Sequence, residues 1–232
     1  MNVFDAITSR RSVRRFEKKP VDDNLIGVML YMATQAPSAG NTQDWHFVVV
    51  KDEEQKNKLA KASLRQGFIA DAPVVIVVCS DIEKISMKYG KRGETLYSAI
   101  HAAGAIQNMM LSATALGLGS CWVGAFDEEE VKTVLELPDH IRPIAVVPVG
   151  YPAETPRKHD KIPFEYVTSV EKYGRGYELV IATKPGMEEE RIFGPLSEYL
   201  EKYIEQAKKK LEKKVEGRKK LSFSELLKRL VR

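Results

Sequence analysis

The sequence predicts an α+β fold in which a β-sheet is covered by helices on its faces, and three observations lead there. Predicted elements follow one another as helix, helix, strand, helix, strand, helix, strand, helix, strand, an order that buries a sheet under helices. Pro73 to Cys79 is an unbroken, β-branched apolar run, the pattern of a strand covered on both sides. Thr95 to Leu116 is rich in Ala, Gly, Met and Ser and apolar most of the way round, which marks a central helix packed closely by others.

Taken in order, Asn2 to Thr8 reads as a short helix with Val3, Phe4 and Ile7 on one face. Asp22 or Asp23 caps a helix running to about Gln35, with Leu25, Val28, Met29 and Met32 at helical spacing. Ala36-Pro37-Ser38-Ala39-Gly40-Asn41 breaks it with turn residues. Trp45 to Val50 is a strand, and Glu53 to Leu64 a helix. The central helix ends at Gly117 and Gly119, and Ser120 to Val123 reads as a strand. Asp127 caps a short helix to Leu135, and Arg142 to Val149 is a strand stopped by Gly150-Tyr151-Pro152. Residues 152–194 are irregular, Pro195 to Glu216 has an amphipathic helical pattern, and a last short helix begins at Ser222. Domain organisation follows as a body over 1–170 and a helical, basic extension over 171–232.

Composition narrows the function classes. The chain has 232 residues, 44% hydrophobic and 29% charged, the balance of a globular protein rather than a disordered one. No apolar run approaches the roughly 20 residues of a spanning helix. Residues 1–16 carry charge throughout and show no signal core, so a cytoplasmic location is expected. The net charge of +4 is unevenly placed: from Lys202 to Arg232 there are 12 Lys/Arg and 4 Asp/Glu, which leaves the remainder at −4. A charge argument for nucleic acid or anionic lipid therefore rests on the tail alone. The apolar spacing within that tail equally describes a helix with one face packed against protein. Cys79 and Cys121 match neither a disulfide framework nor a zinc pattern and read as buried, reduced thiols.

Three segments carry candidate chemistry. Arg10-Arg11-Ser12-Val13-Arg14 offers three guanidiniums and a hydroxyl, a donor set for a dianionic phosphate; the same cluster also reads as a solvated basic turn. Pro37-Ser38-Ala39-Gly40-Asn41-Thr42-Gln43-Asp44-Trp45 combines small residues, which let backbone approach a flat ligand, with uncharged polar edges. Gly117 to Ala125 suggests a dinucleotide loop, but its glycines follow a helix and precede a strand, the reverse of the Rossmann order. The four histidines are dispersed without metal-ligand spacing, and His101 reads as a core or interface residue. No G-x-S-x-G, H-E-x-x-H or P-loop occurs. A chain so poor in bases and nucleophiles takes its chemistry most naturally from a bound cofactor.

Together, Arg10-Arg11-Ser12-Val13-Arg14, Pro37-Ser38 with Asn41, Gln43 and Trp45, Gly119-Ser120-Cys121-Trp122-Val123-Gly124, and Val149-Gly150-Tyr151-Pro152 followed by Arg157-Lys158 resemble the FMN-dependent nitroreductase family in order and spacing. The resemblance covers residues 1 to about 165. It implies a three-layer α/β/α sandwich and an intertwined homodimer with FMN between the subunits. It implies that Arg10 and Ser12 hold the phosphate, that Arg11 belongs to the same loop, and that Arg14 lies near the pyrimidine edge of the flavin. Arg157 or Lys158 reaches the phosphate from the far end of the domain. Pro37, Ser38, Ala39, Asn41 and Gln43, contributed by the partner, contact ring and ribityl chain, while backbone around Trp122, Val123 and Gly124 faces the flavin near N5. Asp44 departs from the family, which often has Pro there.

The implied activity is ping-pong hydride transfer. NAD(P)H reduces the flavin, and a small acceptor such as a nitroaromatic, a quinone or free flavin then takes the electrons. No side chain is obligatory as acid or base, and no metal is called for. Reductive dehalogenation or another specialised reaction on the same scaffold is the alternative, and a nucleic-acid or membrane role carried by the basic tail is one of a different class. Ser86 to Glu94, with Gly90, Arg92 and Gly93, reads either as a mobile flap over the cleft or as a plain loop.

Overall fold

The computed structural model of the chain describes residues 1–176 together with 180–181, 190–191, 204–205 and 208–209. The β-branched run forms β2 (Val74–Asp81), buried along almost its whole length. It lies between β1 (Trp45–Val50) and β4 (Ile141–Gly150) in an antiparallel sheet of order β1-β2-β4-β3, with β3 (Gly119–Ser120) at the far edge.

Alternation along β2 feeds two cores, because successive side chains of a strand point to opposite faces. Val74, Ile76 and Val78 join Ala145, Val147 and Val149 on one face, under Met29 and Ala33 of α2 (Asp23–Thr34) and Ala102, Ala105, Ile106 and Met109 of α6 (Ser98–Ala115). Val75, Val77 and Cys79 join Val146 on the other, under Leu59 of α3 (Glu53–Ala62), Ile69 of α4 (Phe68–Asp71) and Val131 of α7 (Glu128–Leu135). Helices, sheet and helices make the three layers expected of the family. Side-chain caps start the helices where the sequence placed aspartates: Asp22, Asp52 and Asp127 each accept a backbone N–H of the first turn. Asn2 and Asp5 close a capping box on α1 (Val3–Ser9).

Three local features differ from the sequence reading. Phe68–Asp71 is a single helical turn, too short to show a period. Ser86 to Glu94, read as flap or loop, lies in α5 (Ile82–Arg92) and the π-turn Gly93–Tyr97 that leads into α6. Gly90 there adopts φ +55°, and a Cβ on Gly93 would stand 2.6 Å from the Ile85 carbonyl oxygen, so the chain doubles back on glycines. The strand read over 120–123 is confined to Gly119–Ser120, and Val123 makes only an isolated antiparallel bridge to Val146.

By contact, the chain divides into Met1–Lys158 and His159–Arg232. The second unit has a 3₁₀ turn at Phe164–Val167, a bridge between Ser169 and Gly176, and an antiparallel pairing of β5 (Val180–Ile181) with β6 (Glu190–Arg191). The helix expected over 195–216 falls outside the described residues except at the helical 204–205 and 208–209, and the one expected from Ser222 falls outside them entirely. No helix among the described residues is long and apolar enough to cross a membrane.

Candidate functional site

The basic segment is stitched into the sheet as an extended strip. Helix α1 ends as Arg10 turns to φ −53°, ψ 132°. Ser12 bridges Ser120 in parallel, and the Val13 N–H donates to the Ser120 carbonyl at 3.0 Å. On its other side the strip meets the end of β4: Glu17 N–H donates to Tyr151 O at 2.9 Å, and Ala153 N–H to Arg15 O at 2.9 Å. Two glycines permit these approaches. A Cβ at Gly119 would lie 2.8 Å from the Val13 side chain, and one at Gly150 would lie 3.1 Å from the Phe16 ring.

This arrangement gathers positive charge. The Cys121 thiol is pushed up by burial, opposed by the charges of Arg14 and Arg10 and by a hydrogen bond with Ser12, so all three lie near Cys121. Arg11 Nη1 donates to the Thr8 and Arg10 carbonyls at 2.8 Å each, capping the negative end of α1. Glu154 Oε1 accepts the backbone N–H of Arg14 at 2.7 Å and of Arg15 at 3.0 Å, which fixes the strip without neutralising a guanidinium. The Arg14 guanidinium instead stands 5.7 Å from the Phe68 ring centroid. Among the described residues Arg10, Arg11 and Arg14 have no carboxylate partner within ion-pair distance. A cleft of about 800 Å³ opens beside Arg14, with Lys18, Lys19 and Lys51 but also Glu17, Glu53 and Asp71 in its lining.

The Pro37–Gln43 loop is a separate, uncharged construction. Ala39–Asn41 forms a 3₁₀ turn in which Gly40 and Asn41 have φ +54° and +55°, and Gln43 follows at +49°. Ser38 Oγ accepts the Gln43 N–H at 3.0 Å, and Gln43 Nε2 donates to Asn41 O at 3.4 Å. The Ser38 hydroxyl proton and the exposed Asn41 carboxamide have no partner among the described residues. No hydrogen bond, ion pair or ring contact joins this loop to the Arg10–Arg14 strip among the described residues.

The third segment packs against the strip. Val123 N–H and C=O both bond to Val146 at 3.0 Å, so its amide is committed to the sheet. The backbone N–H groups of Trp122 and Gly124 carry no hydrogen bond among the described residues, and the Trp122 ring is 38% exposed. Arg157 and Lys158 are exposed, three and four residues beyond Glu154. The Cys79 thiol is pushed up by burial to about 12, so neither cysteine provides a thiolate near neutral pH.

Sequence reasoning missed several participants. Glu154, Phe68, Lys84 and Lys88 carried no motif. Asp44 drew notice only as a departure, and its partner His101 lies 57 residues away on an apolar helix face, so their contact at 2.6 Å was invisible in one dimension. One usable signal existed: a charged residue directly before an inward-facing strand has to find a buried partner.

Comparison with known proteins agrees with this fold. A family model described as the Nitroreductase family matches residues 7–67 and 61–151. The chain is 35% identical over 195 residues to an NADH dehydrogenase of Thermus thermophilus, covering 71% of this chain and 95% of that protein. It is 28% identical to an FMN reductase [NAD(P)H] of Bacillus subtilis, with 74% of each chain covered. Among solved structures, B. megaterium NfrA2 superposes with a TM-score of 0.69 at 27% identity, covering 75% of this chain and 76% of that one.

Proposed function

The chain belongs to the nitroreductase family, and from that premise we propose that it is an FMN-dependent oxidoreductase that takes hydride from NAD(P)H and delivers it to a small acceptor such as a nitroaromatic, a quinone or flavin. One observation carries the proposal: three guanidiniums and the Ser12 hydroxyl lie at one end of the sheet with no carboxylate within ion-pair distance of the guanidiniums among the described residues. Arg10, Arg11 and the Ser12 hydroxyl suit a phosphate dianion, which leaves the Arg14 guanidinium for the ring. The Pro37–Gln43 loop, with a free hydroxyl proton and a carboxamide but no charge of its own, suits an uncharged ring and polyol. The residues present therefore fit FMN.

Bound FMN supplies the redox chemistry, as a two-electron carrier that accepts and releases hydride. The chain binds and orients it. Arg10 and Ser12 bind the phosphate, Arg11 adds charge from the end of α1, and Arg157 or Lys158 closes over it. Arg14, held by Glu154 through its backbone and by Phe68 through its guanidinium, keeps a fixed positive charge at the pyrimidine edge and favours the more negative reduced state. The Trp122 and Gly124 N–H groups, unpaired among the described residues, would be the backbone donors offered to the ring. Ser38, Asn41 and Gln43, with the small Pro37 and Ala39 allowing close approach, serve the site of a second copy in a homodimer. Within this reading residues 1–170 carry the cofactor chemistry, and the basic extension 171–232 has no part in it.

The test is spectroscopic. Purified protein is yellow, releases FMN on denaturation, and bleaches anaerobically with NADH or NADPH. A nitroaromatic or quinone then restores the colour. A colourless protein that cannot be reconstituted with FMN overturns the proposal. Mixed dimers of Arg10→Ala and Asn41→Ala subunits recover one intact site per dimer if the loop serves the partner; no recovery places the loop in its own subunit's site.

A further inference from the structure

We propose that Asp44 and His101 are positioning residues that hold the Pro37–Gln43 loop in its ligand-ready shape, an inference that rests on the flavin reading above. The loop needs such a device. Asn41 and Gln43 sit in the left-handed region, φ +55° and +49°, on either side of Thr42. Side-chain-bearing residues hold that conformation only where the surroundings over-determine it.

The constraint comes from beneath. The Asp44 carboxylate, 1% exposed, accepts hydrogen bonds from Ser80 Oγ at 2.7 Å and Thr42 Oγ1 at 3.2 Å, and contacts His101 Nδ1 at 2.6 Å. On the far side of the same imidazole, Nε2 accepts the Ala39 backbone N–H at 2.8 Å. A backbone N–H only donates, so Nε2 carries the lone pair and Nδ1 the proton. The ring is a neutral relay from Ala39 to Asp44, with one tautomer allowed. Tyr97 flanks the imidazole, inclined by 28° with centroids 6.1 Å apart. From above, Lys88 Nζ donates to Gly40 O at 3.1 Å and Lys84 Nζ to Gln43 O at 3.0 Å, so α5 bears down on the same loop.

The relay settles which loop groups are left for a ligand. His101 consumes the Ala39 N–H, Ser38 Oγ consumes the Gln43 N–H, and the Thr42 hydroxyl is shared between Ala39 O at 3.1 Å and Asp44 Oδ1 at 3.2 Å. Among the described residues, the Ser38 hydroxyl proton, the Asn41 carboxamide and the Gln43 carboxamide oxygen remain, presented on a backbone whose φ angles are pinned at both ends. Asp44 and His101, both buried, touch no ligand and act through these side chains.

The experiment compares FMN dissociation constants, read by flavin fluorescence quenching, for wild type, Asp44→Asn, His101→Leu and His101→Gln. Met29→Ala serves as a core variant that loses stability away from the loop. Asp44→Asn trades the charged acceptor for a neutral amide that can turn either its oxygen or its NH2 toward Nδ1, so it no longer fixes the tautomer, and His101→Leu removes both relay contacts. Each weakens FMN by about tenfold or more, while His101→Gln, which keeps an amide oxygen for Ala39, stays within about threefold of wild type. Met29→Ala lowers the melting temperature without changing FMN affinity in the folded protein. Independently, the imidazole ¹⁵N shifts of FMN-free wild type report a proton on Nδ1 of His101. Wild-type FMN affinity in both Asp44→Asn and His101→Leu, or an Nε2-protonated His101, overturns the inference. Failure of wild type itself to bind FMN instead overturns the flavin reading.

Discussion

Substituting Gly119 by alanine tests whether the geometry of the basic strip depends on one close approach. The new Cβ would lie 2.8, 2.8 and 2.9 Å from three Val13 side-chain carbons, where ordinary contact begins near 3.4 Å. Val13 must then retreat by about 0.6 Å. It has nowhere to go, being 5% exposed and tied by its N–H to Ser120, the neighbour of the substituted residue. Overpacking of this kind costs about 1–3 kcal/mol, a fall in melting temperature of roughly 2–12 °C for a chain of this size. Any retreat of Val13 carries Ser12 and Arg14 with it, so FMN binds more weakly as well. The control is Gly27→Ala, in the middle of α2 with nothing within 4 Å of the added carbon, where the helix gains up to about 1 kcal/mol. Thermal melts and FMN titrations of both variants decide the matter. Gly119→Ala with wild-type melting and wild-type FMN affinity, beside a stabilised Gly27→Ala, would refute the claim that this contact sets the strip.

Arg10→Ala weakens FMN by about tenfold or more but leaves riboflavin, which lacks the phosphate, almost unaffected; equal losses for both ligands remove Arg10 from the phosphate site. Glu128 and Arg142 form a two-pronged pair at 2.7 and 2.9 Å, and the hydrogen bonds from Arg142 hold the Glu128 carboxyl below its ordinary value. The stabilisation is full above the ordinary glutamate range and is lost as pH falls through the lowered value. Arg142→Gln therefore flattens that acid limb, by only about 1 kcal/mol because both side chains are partly solvated; an unchanged limb in pH-dependent urea unfolding contradicts this. Cys79, at about 12, and the buried Cys121 resist a thiol reagent at pH 8 in the native protein and react together once it unfolds. Rapid native labelling of either counts against the core packing.

Much of the fold was legible along the chain because local physics wrote it there. The β-branched run from Val74 to Cys79 has no polar side chain to turn toward water, so it had to be central. Asp22, Asp52 and Asp127 cap the helices that follow them, since a short carboxylate satisfies first-turn N–H groups wherever the chain goes next. The candidate site was legible as composition: clustered guanidiniums, a small polar loop, and glycines before Trp122. What could not be read was pairing. That Gly119 lies on Val13, that Glu154 grips the backbone at Arg14 and Arg15, and that Val123 gives its amide to Val146 are contacts across 100 or more residues, or across strands.

By itself, then, the sequence determined which residues go inside, where the capped and periodic helices such as α2 and α7 begin, and which segments carry charge or hydrogen-bonding edges, because burial and capping act within a few residues. Tertiary structure alone decided that Asp44 and His101 meet beneath the polar loop, and that the Ser86–Glu94 stretch is a helix clamped upon it rather than an open flap. A buried carboxylate and an imidazole become a relay only when folding removes the water between them and aligns one lone pair with one N–H, and no spacing along a chain encodes that alignment.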